Sequence, residues 1–561
     1  MNFSVRQGLA KGASPSMHRT RQLAWVCSAL MGCSSLSMAQ VPTQPSVSPS
    51  SDPSLILRQG NQPPREPVAP STSEPARPTL TPPPKAPTGE AAPKVVRFVL
   101  NRIELTPSRL LPEATLAQAW AGQVGQEVTI QDIRAIVARI NQIYWDAGHY
   151  AALASLPAQK IADGVLKINL VEGTVEKVKV ESEDPRVVSL ADDVLGLAAG
   201  ELFVGPAVQS RLARFNRGSD TRFFAALLPG SQPGTTEVVA QVELAPKYDL
   251  AVALHNEATD SLGRNQLDVS GYVRRLLSPA DRLGAIVQNT EGSLNALVLY
   301  SVPVHWSGLR FGASASSGST STTDSGLGQL KVEGRSNVLG LSLTQPLPAW
   351  RNWEVDLSLN AQRIQSNTKV DGVSLGDART SLYSLGVQSV YRSPGHLVSV
   401  YTAINSGTYE PPFRESRRLS TFNSNGSWAW VLNDQWWLNT RAGLQLTSDT
   451  DVPATVKFSL GNPTDVRGYP ASVVFGDRGL FVSLEAHRRF ANNLDVFGFL
   501  DNGTTTTAGV PRQNLSSLGL GLTKAWGRQW SLSGSLAHPL KDTVPGQSSL
   551  RALVRLTWQF E

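Results

Sequence analysis

Leu550-Arg551-Ala552-Leu553-Val554-Arg555-Leu556-Thr557-Trp558-Gln559-Phe560 alternates with a period of two. Leu550, Ala552, Val554, Leu556, Trp558 and Phe560 fall on one face. Arg551, Arg555, Thr557 and Gln559 fall on the other, which only Leu553 interrupts. Successive side chains of a strand point to opposite faces, so the segment is a strand with one apolar and one charged side. The same rhythm runs back to about Tyr248. Val355, Leu357, Leu359 and Ala361 alternate with Glu354, Asp356, Ser358, Asn360 and Gln362. Leu438, Ala442, Leu444 and Leu446 oppose Asn439, Arg441 and Gln445. A soluble sandwich would alternate too. Roughly 310 residues of strands about ten residues long, with charges on the polar face, instead predict a transmembrane β-barrel with lipid outside and water inside. About sixteen strands fit, an even number wide enough for an open channel. A last strand ending in Trp558 and Phe560 suits such a barrel.

Composition agrees. Charged residues make up 17% of the 561, too many for a helical membrane protein and few for a soluble enzyme. The net charge is only +6 and no basic run occurs, which argues against a nucleic-acid partner. Near the N-terminus, His18, Arg19 and Arg21 precede an apolar stretch, Leu23 to Leu36, followed by Ser37-Met38-Ala39. This reads as an export signal over residues 1–39, cut after Ala39. The alternative is a lipoprotein signal with lipid on Cys33. Both cysteines, Cys27 and Cys33, lie inside the signal, so cleavage at Ala39 removes every thiol. Residues 40–94 read as a Pro-rich, extended linker, in which Ser54 to Gln62 can supply a turn or two of helix.

Residues 95–247 read as α+β. Arg97 to Leu105 alternates like a strand, and Glu113 to Trp120 suits a short helix. Thr129 caps a longer helix whose Ile130, Ile133, Ile136, Val137, Ile140, Ile143 and Tyr144 share one face, and Gly148 ends it. Strand-like runs follow at Ala151 to Leu156 and Val165 to Val171. The order recurs as Val175 to Val180, a helix near Leu190, a helix from Pro206 to Phe215, and strands Arg222 to Leu228 and Val238 to Leu244. A repeat of roughly 75 residues predicts two copies of one module, 95–173 and 174–247, ahead of a barrel over 248–561.

Between the eleventh and twelfth expected strands lies Phe458-Ser-Leu-Gly461-Asn-Pro-Thr-Asp-Val466-Arg467-Gly468-Tyr469, followed by Gly476-Asp477-Arg478-Gly479. It is too polar to face lipid. One strand further on, Phe499, Asp501 and Gly503 share the face opposite Val496 and Leu500. If those two meet lipid, Asp501 faces the lumen, where Arg467 is a candidate partner.

Val466-Arg467-Gly468-Tyr469 resembles the loop motif of the outer-membrane insertase and transporter superfamily, and Phe499-x-Asp501-x-Gly503 its barrel-wall motif. The segment Gly148-His149-Tyr150, Leu156-Pro157-Ala158-Gln159, Gly164 to Ile168 and Glu172-Gly173-Thr174-Val175 resembles the first POTRA module of two-partner secretion transporters, the haemolysin activator/secretion group. His149, Ala151 and Ala152 depart from the family's usual residues there. The resemblance covers essentially the whole mature chain. It implies two periplasmic POTRA modules, a plug helix and a sixteen-stranded barrel in the bacterial outer membrane, with the loop folded into the barrel and its arginine on the wall aspartate. It also implies a monomer in lipid whose partner is a secreted exoprotein: an adhesin, a haemolysin or a contact-inhibition toxin. The client would be caught unfolded and threaded through the pore without nucleotide.

The alternatives are a barrel-assembly factor, a class that usually carries three to five modules, and a passive porin or receptor, which lacks modules. No enzymatic role, metal or cofactor is expected. There is no Gly-x-x-x-x-Gly-Lys loop and no His-x-x-x-His pair. Gly372-Val-Ser374-Leu-Gly376 spells a serine-hydrolase elbow but sits between strands, where the strand–turn–helix context is missing. Trp428, Trp430, Trp436 and Trp437 read as membrane-interface anchors, and Glu485, on the face of His487, as an ordinary lumen residue.

Overall fold

The computed structural model describes residues 80–81, 97–322, 331–450, 452–543 and 547–560. The expected signal, Cys33 and the segment Ser54 to Gln62 lie outside them.

Residues 97–173 form a small α+β module. Arg97–Val99 pairs with Glu127–Thr129, while Arg102–Leu105 runs parallel to Val165–Glu172, which pairs in turn with Ala152–Ser155. The expected single strand from Arg97 to Leu105 is therefore two. Leu100 is fully buried and exchanges backbone hydrogen bonds with Gly125 and Gln126, whereas Asn101 donates to Gly164, so the ladder changes partner there. The helix Ile130–Asp146 opens on Thr129 with a reciprocal cap. The Thr129 hydroxyl accepts from the Asp132 amide, and the Asp132 carboxylate accepts from the Thr129 amide. Ile133, Ile136, Ile140 and Tyr144 of this helix are wholly buried against Leu166 and Ile168, as the spacing predicts.

Glu172, at the end of its strand, ties this module together. Its carboxylate accepts from the Ser108 hydroxyl at 2.6 Å, the Arg109 amide at 2.8 Å and the Tyr144 hydroxyl at 3.0 Å. Burial alone would raise its pKa, but these hydrogen bonds outweigh burial and hold it below the usual carboxylate value. A depressed carboxylate pKa stabilises the fold above the unfolded value of about 4.3 and loses that stability as pH falls through the folded value. Glu172→Ala removes the acceptor that the Ser108 and Tyr144 hydroxyls and the Arg109 amide share, at a cost of about 2 kcal/mol. Amide exchange of residues 133–144, corrected for intrinsic rates, is expected to quicken about thirtyfold at pH 7 in this variant, and the difference should shrink towards pH 3. An equal difference at both pH values would refute the role of the charge.

The second module contains Thr174–Val180, the helices Pro185–Leu195 and Gly205–Asn216, and the strands Thr221–Pro229 and Thr235–Leu244. Its sheet has a strand that local pattern does not reveal. Leu80–Thr81, from the stretch read as spacer, pairs parallel with Thr221–Pro229, and Leu80 is buried in the core of this module. The module is tied to the barrel at strand ends and at one turn. Arg217 meets Asp356 at 2.9 Å, Arg274 meets Asp220 at 2.9 Å, and the Arg211 guanidinium lies 4.0 Å from the Trp306 ring centre.

Among the described residues sixteen strands, from Tyr248–His255 to Arg551–Phe560, close into one barrel, each pairing antiparallel with its neighbours. Several are longer than expected; Val373–Ser393 has 21 residues, about twice what a bilayer needs, so the mid-barrel hairpins project beyond it. Leu339, Leu341, Leu500, Leu520 and Leu536 stand exposed outside, while Arg551, Ser483 and Asp501 are buried inside. Ser374 lies in the hairpin strand Val373–Ser393, with no helix following it. The tryptophans divide. Trp428 and Trp430 stack with their rings 3° from parallel and are part-exposed, as anchors are. Trp437 is buried, contrary to its reading as an anchor, because adjacent residues of a strand must face opposite ways and Trp436 takes the outward side.

Among the described residues six pairs join the first strand to the last, Leu250↔Phe560 to His255↔Arg555. Side chains reinforce that seam: Arg555 meets Glu257 at 2.6 Å and Asp268 at 3.5 Å, and Arg551 meets Asp260 at 2.7 Å. Arg555→Ala removes hydrogen bonds between charged groups worth about 2 kcal/mol. The temperature at which the folded barrel band converts to the unfolded band on electrophoresis is expected to fall by several degrees. An unchanged temperature would mean that backbone pairing alone holds the seam.

Candidate functional site

The segment between the eleventh strand, Trp436–Leu446, and the twelfth, Arg478–Phe490, folds back into the barrel. Phe458–Leu460 and Val474–Gly476 pair as a small ribbon that stiffens its stem. At its tip Asp465 accepts from the amides of Gly461 and Asn462, both at 2.8 Å, and so forms a turn that presents the next residues. Val466 and Tyr469 are buried with Leu460, Val474 and Leu515. The Tyr469 hydroxyl donates to the Ser516 carbonyl at 2.8 Å. Gly468 sits at φ +91°, a backbone shape that L side chains rarely adopt. With Val466 and Tyr469 packed, the Arg467 side chain is directed at the wall.

There Arg467 grips Asp501 with both prongs, Nε to Oδ2 at 2.8 Å and Nη2 to Oδ1 at 2.7 Å, and its amide donates to the same carboxylate at 3.1 Å. The fork geometry suits arginine and not lysine. The guanidinium carbon lies 3.6 Å from the Phe499 ring centre. Gly503 leaves the room the tip needs, since a Cβ there would stand 2.7 Å from Leu460 and 2.9 Å from Val466. All seven motif residues thus meet in one place: Val466, Arg467, Gly468 and Tyr469 from the loop, and Phe499, Asp501 and Gly503 from the thirteenth strand, Leu494–Thr507.

Local pattern left out the rest of the constellation. Glu485, read as an ordinary lumen residue, is a second carboxylate for Arg467, with Nη1 to Oε1 at 2.7 Å. It also accepts from Arg441 at 3.0 Å and from Asn439 at 2.7 Å. His487 bridges Glu485 and Asp495, at 3.3 Å and 2.7 Å, and stacks on Trp437 with ring centres 3.8 Å apart. The Trp437 indole donates to Asp495 at 2.9 Å. Two arginines, Arg467 and Arg441, therefore balance Asp501 and Glu485. Such buried balance is what a low-dielectric site requires. The period-two parity of Asn439, Arg441, Ser483, Glu485 and His487 was the available signal. The arrangement holds a loop in place through charge and shape, and it presents no nucleophile–base pair.

Comparison with known proteins bears on the whole chain. Residues 234–524 match the family model of the haemolysin secretion/activation protein ShlB/FhaC/HecB, and residues 98–173 match that of the POTRA domain, ShlB-type. The heme/hemopexin transporter protein HuxB of Haemophilus influenzae is 22% identical over 491 residues, 80% of this chain and 85% of that protein. The outer membrane transporter CdiB of Dickeya dadantii is 25% identical over 185 residues, 33% of each chain. Of solved structures, CdiB from Escherichia coli superposes with a TM-score of 0.69 at 19% identity, covering 85% of this chain and 93% of that one. BamA from Haemophilus ducreyi lacking POTRA domains 1–3 superposes with a TM-score of 0.53 at 15% identity, covering 83% and 100%. At these identities the superpositions speak for the fold.

Proposed function

The chain belongs to the haemolysin secretion/activation protein ShlB/FhaC/HecB family, and from that premise we propose how its parts share the work of export. It is an outer-membrane two-partner secretion transporter with POTRA structure on the periplasmic side, and its partner is a secreted exoprotein. Residues 95–173 and 174–247 act as the two capture modules and residues 248–561 as the pore. The client is an adhesin, a haemolysin or a contact-inhibition toxin. It is held unfolded by strand addition and groove contacts on the modules, then passes through the lumen in extended form. Folding outside makes the passage one-way, so neither nucleotide nor catalysis is required. The protein works as a monomer in lipid.

The observation that carries this reading is the loop seated inside a closed barrel by Arg467 on Asp501 and Glu485, together with the ion pair Arg217–Asp356 that ties a module to the barrel. A lumen element held by a few strong contacts can shape the path of a passing chain. The decisive experiment deletes the gene and compares surface and supernatant proteins by mass spectrometry. Loss of one large exported protein, with other barrels unchanged, is expected. A general fall in outer-membrane barrels would overturn the reading in favour of barrel assembly.

A further inference from the structure

A barrel's outer wall turns from apolar to polar where the hydrocarbon of the bilayer ends. Residues paired directly across two strands face the same side, so the change can be read row by row. The sixth to tenth barrel strands are Val332–Pro346, Trp353–Val370, Val373–Ser393, His396–Glu410 and Arg417–Val431. One outward row across them is apolar: Leu343, Leu359, Leu385, Ile404 and Phe422. The next row, further from the periplasmic modules, is Leu341, Ala361, Tyr383, Ser406 and Ser420. The row beyond it is Leu339, Arg363, Ser381, Thr408 and Arg418. Tyr383 is 64% exposed, as an aromatic of the membrane interface is. Two arginines thus flank two hydroxyls at the extracellular edge of the hydrocarbon, about 14 Å apart along the ladder at the usual spacing of strands.

Carboxylates nearby do not account for these cations. Glu410 is answered by Arg379 at 3.9 Å and Glu333 by Lys331 at 2.6 Å, while Asp377 accepts from the Asn367 amide group at 2.8 Å. Among the described residues Arg335, Arg363, Lys369 and Arg418 have no carboxylate partner, and all four stand exposed on the outer face. A cleft lined by Leu294, Ser319, Arg335 and Lys369 continues the patch towards the shorter fourth strand, Ser293–Pro303. A lipid-facing arginine is costly within the hydrocarbon and tolerated at its edge, where the headgroups lie. Guanidinium forks and hydroxyls suit phosphate oxygens, and the leucines one or two rows below suit acyl chains. A polypeptide leaving the pore meets the lumen side of these strands, not this one.

We propose that the outer face of the sixth to tenth strands, from the Tyr383 row outwards, is a binding site for lipopolysaccharide, the phosphorylated glycolipid of the outer leaflet. Arg363 and Arg418 take phosphate groups of its sugar head. Ser381 and Thr408 donate to the same head between them, and the row from Leu343 to Phe422 packs against its acyl chains. The site lies on the membrane face, so it stands apart from what passes through the lumen.

The test titrates the purified, delipidated full-length protein in detergent with fluorescent diphosphoryl lipid A. Three variants are compared with the parent: Arg363→Ala with Arg418→Ala, Arg363→Lys with Arg418→Lys, and Arg488→Ala. Arg488 is an outward arginine at the opposite, periplasmic end of the wall, beside Trp436 and Phe490. The alanine pair is expected to bind at least tenfold more weakly than the parent, the lysine pair to fall between, and Arg488→Ala to match the parent. Lipid A stripped of its phosphates should bind the parent at least tenfold more weakly. Saturating inorganic phosphate, or phosphatidylglycerol at the same concentration as the probe, should displace little of it. Parent-like binding by the alanine pair would overturn the proposal. Full displacement by phosphate would reduce the site to a simple anion site, and full displacement by phosphatidylglycerol to a surface for any acidic lipid; either overturns the assignment. If the alanine pair fails to fold, the dephosphorylated probe on the parent decides, since unchanged affinity there refutes phosphate recognition.

Discussion

Arg467→Ala is expected to leave the barrel folded and inserted but to cut export of the partner protein at least tenfold. Arg467 is 4% exposed and answers both Asp501, which is fully buried, and Glu485. Removing it leaves two buried carboxylates without their shared cation, a loss of about 3–5 kcal/mol at the loop's seat. The sixteen-strand ladder is independent of this contact, so heat-stable folding of the barrel should survive while the loop tip leaves the wall. Arg467→Lys should be intermediate, because an ammonium keeps the charge but cannot span the Asp501 fork and reach Glu485 as well. Because both groups belong to one network, Arg467→Ala with Asp501→Ala should cost less than the two single losses added together. Protease cleavage within 461–472 and export of the partner are the two readouts. Parent-level export by Arg467→Ala would sink the gating role and leave the pair as a stabiliser of the barrel.

Gly503→Val should reproduce that loss by shape alone. The new Cβ would meet Leu460 and Val466 at 2.7 and 2.9 Å, inside the closest approach real side chains make. Overpacking a tight site usually costs about 1–3 kcal/mol, and here the loop tip can relieve it by withdrawing. Export is expected to fall severalfold or more with every charged group still present, and the loop should become sensitive to protease. Gly503→Ala should be no milder in its first contact, since the clash begins at Cβ. Leu460→Ala in the same chain opens space and should restore part of the export. If Gly503→Val exports normally, close seating of the loop against the thirteenth strand is irrelevant to transport.

The sequence carried the barrel almost completely. Alternation such as that from Leu550 to Phe560 is local, because a strand's two faces are set by covalent geometry, and lipid on one side imposes apolar residues at every second position. The Thr129 cap and the isoleucines of the helix after it were equally legible, since capping and helical spacing act within a few residues. Arg467 and Asp501 could be paired before any coordinates, by motif and by strand parity. Parity could not tell which other inward residues stand at the height of the loop tip. That depends on stagger between neighbouring strands, which sets Asn439 beside Glu485 and Ser483 beside Asp501. Glu485, Arg441 and His487 therefore joined the site only in three dimensions. Trp437 differs: its inward side follows from the parity it shares with Asn439 and Arg441, while its stack on His487 needed the neighbouring strand's register. The break at Leu100 and the strand at Leu80 came from partners far along the chain, Gln126 and Ala225. What local physics dictates, the chain spells out: which stretches are strands or helices, and which side chains share a face. Which faces meet, at what register, and which edge a proline-rich segment comes to occupy are long-range choices made by the folded whole, where burial and hydrogen bonding override local propensity.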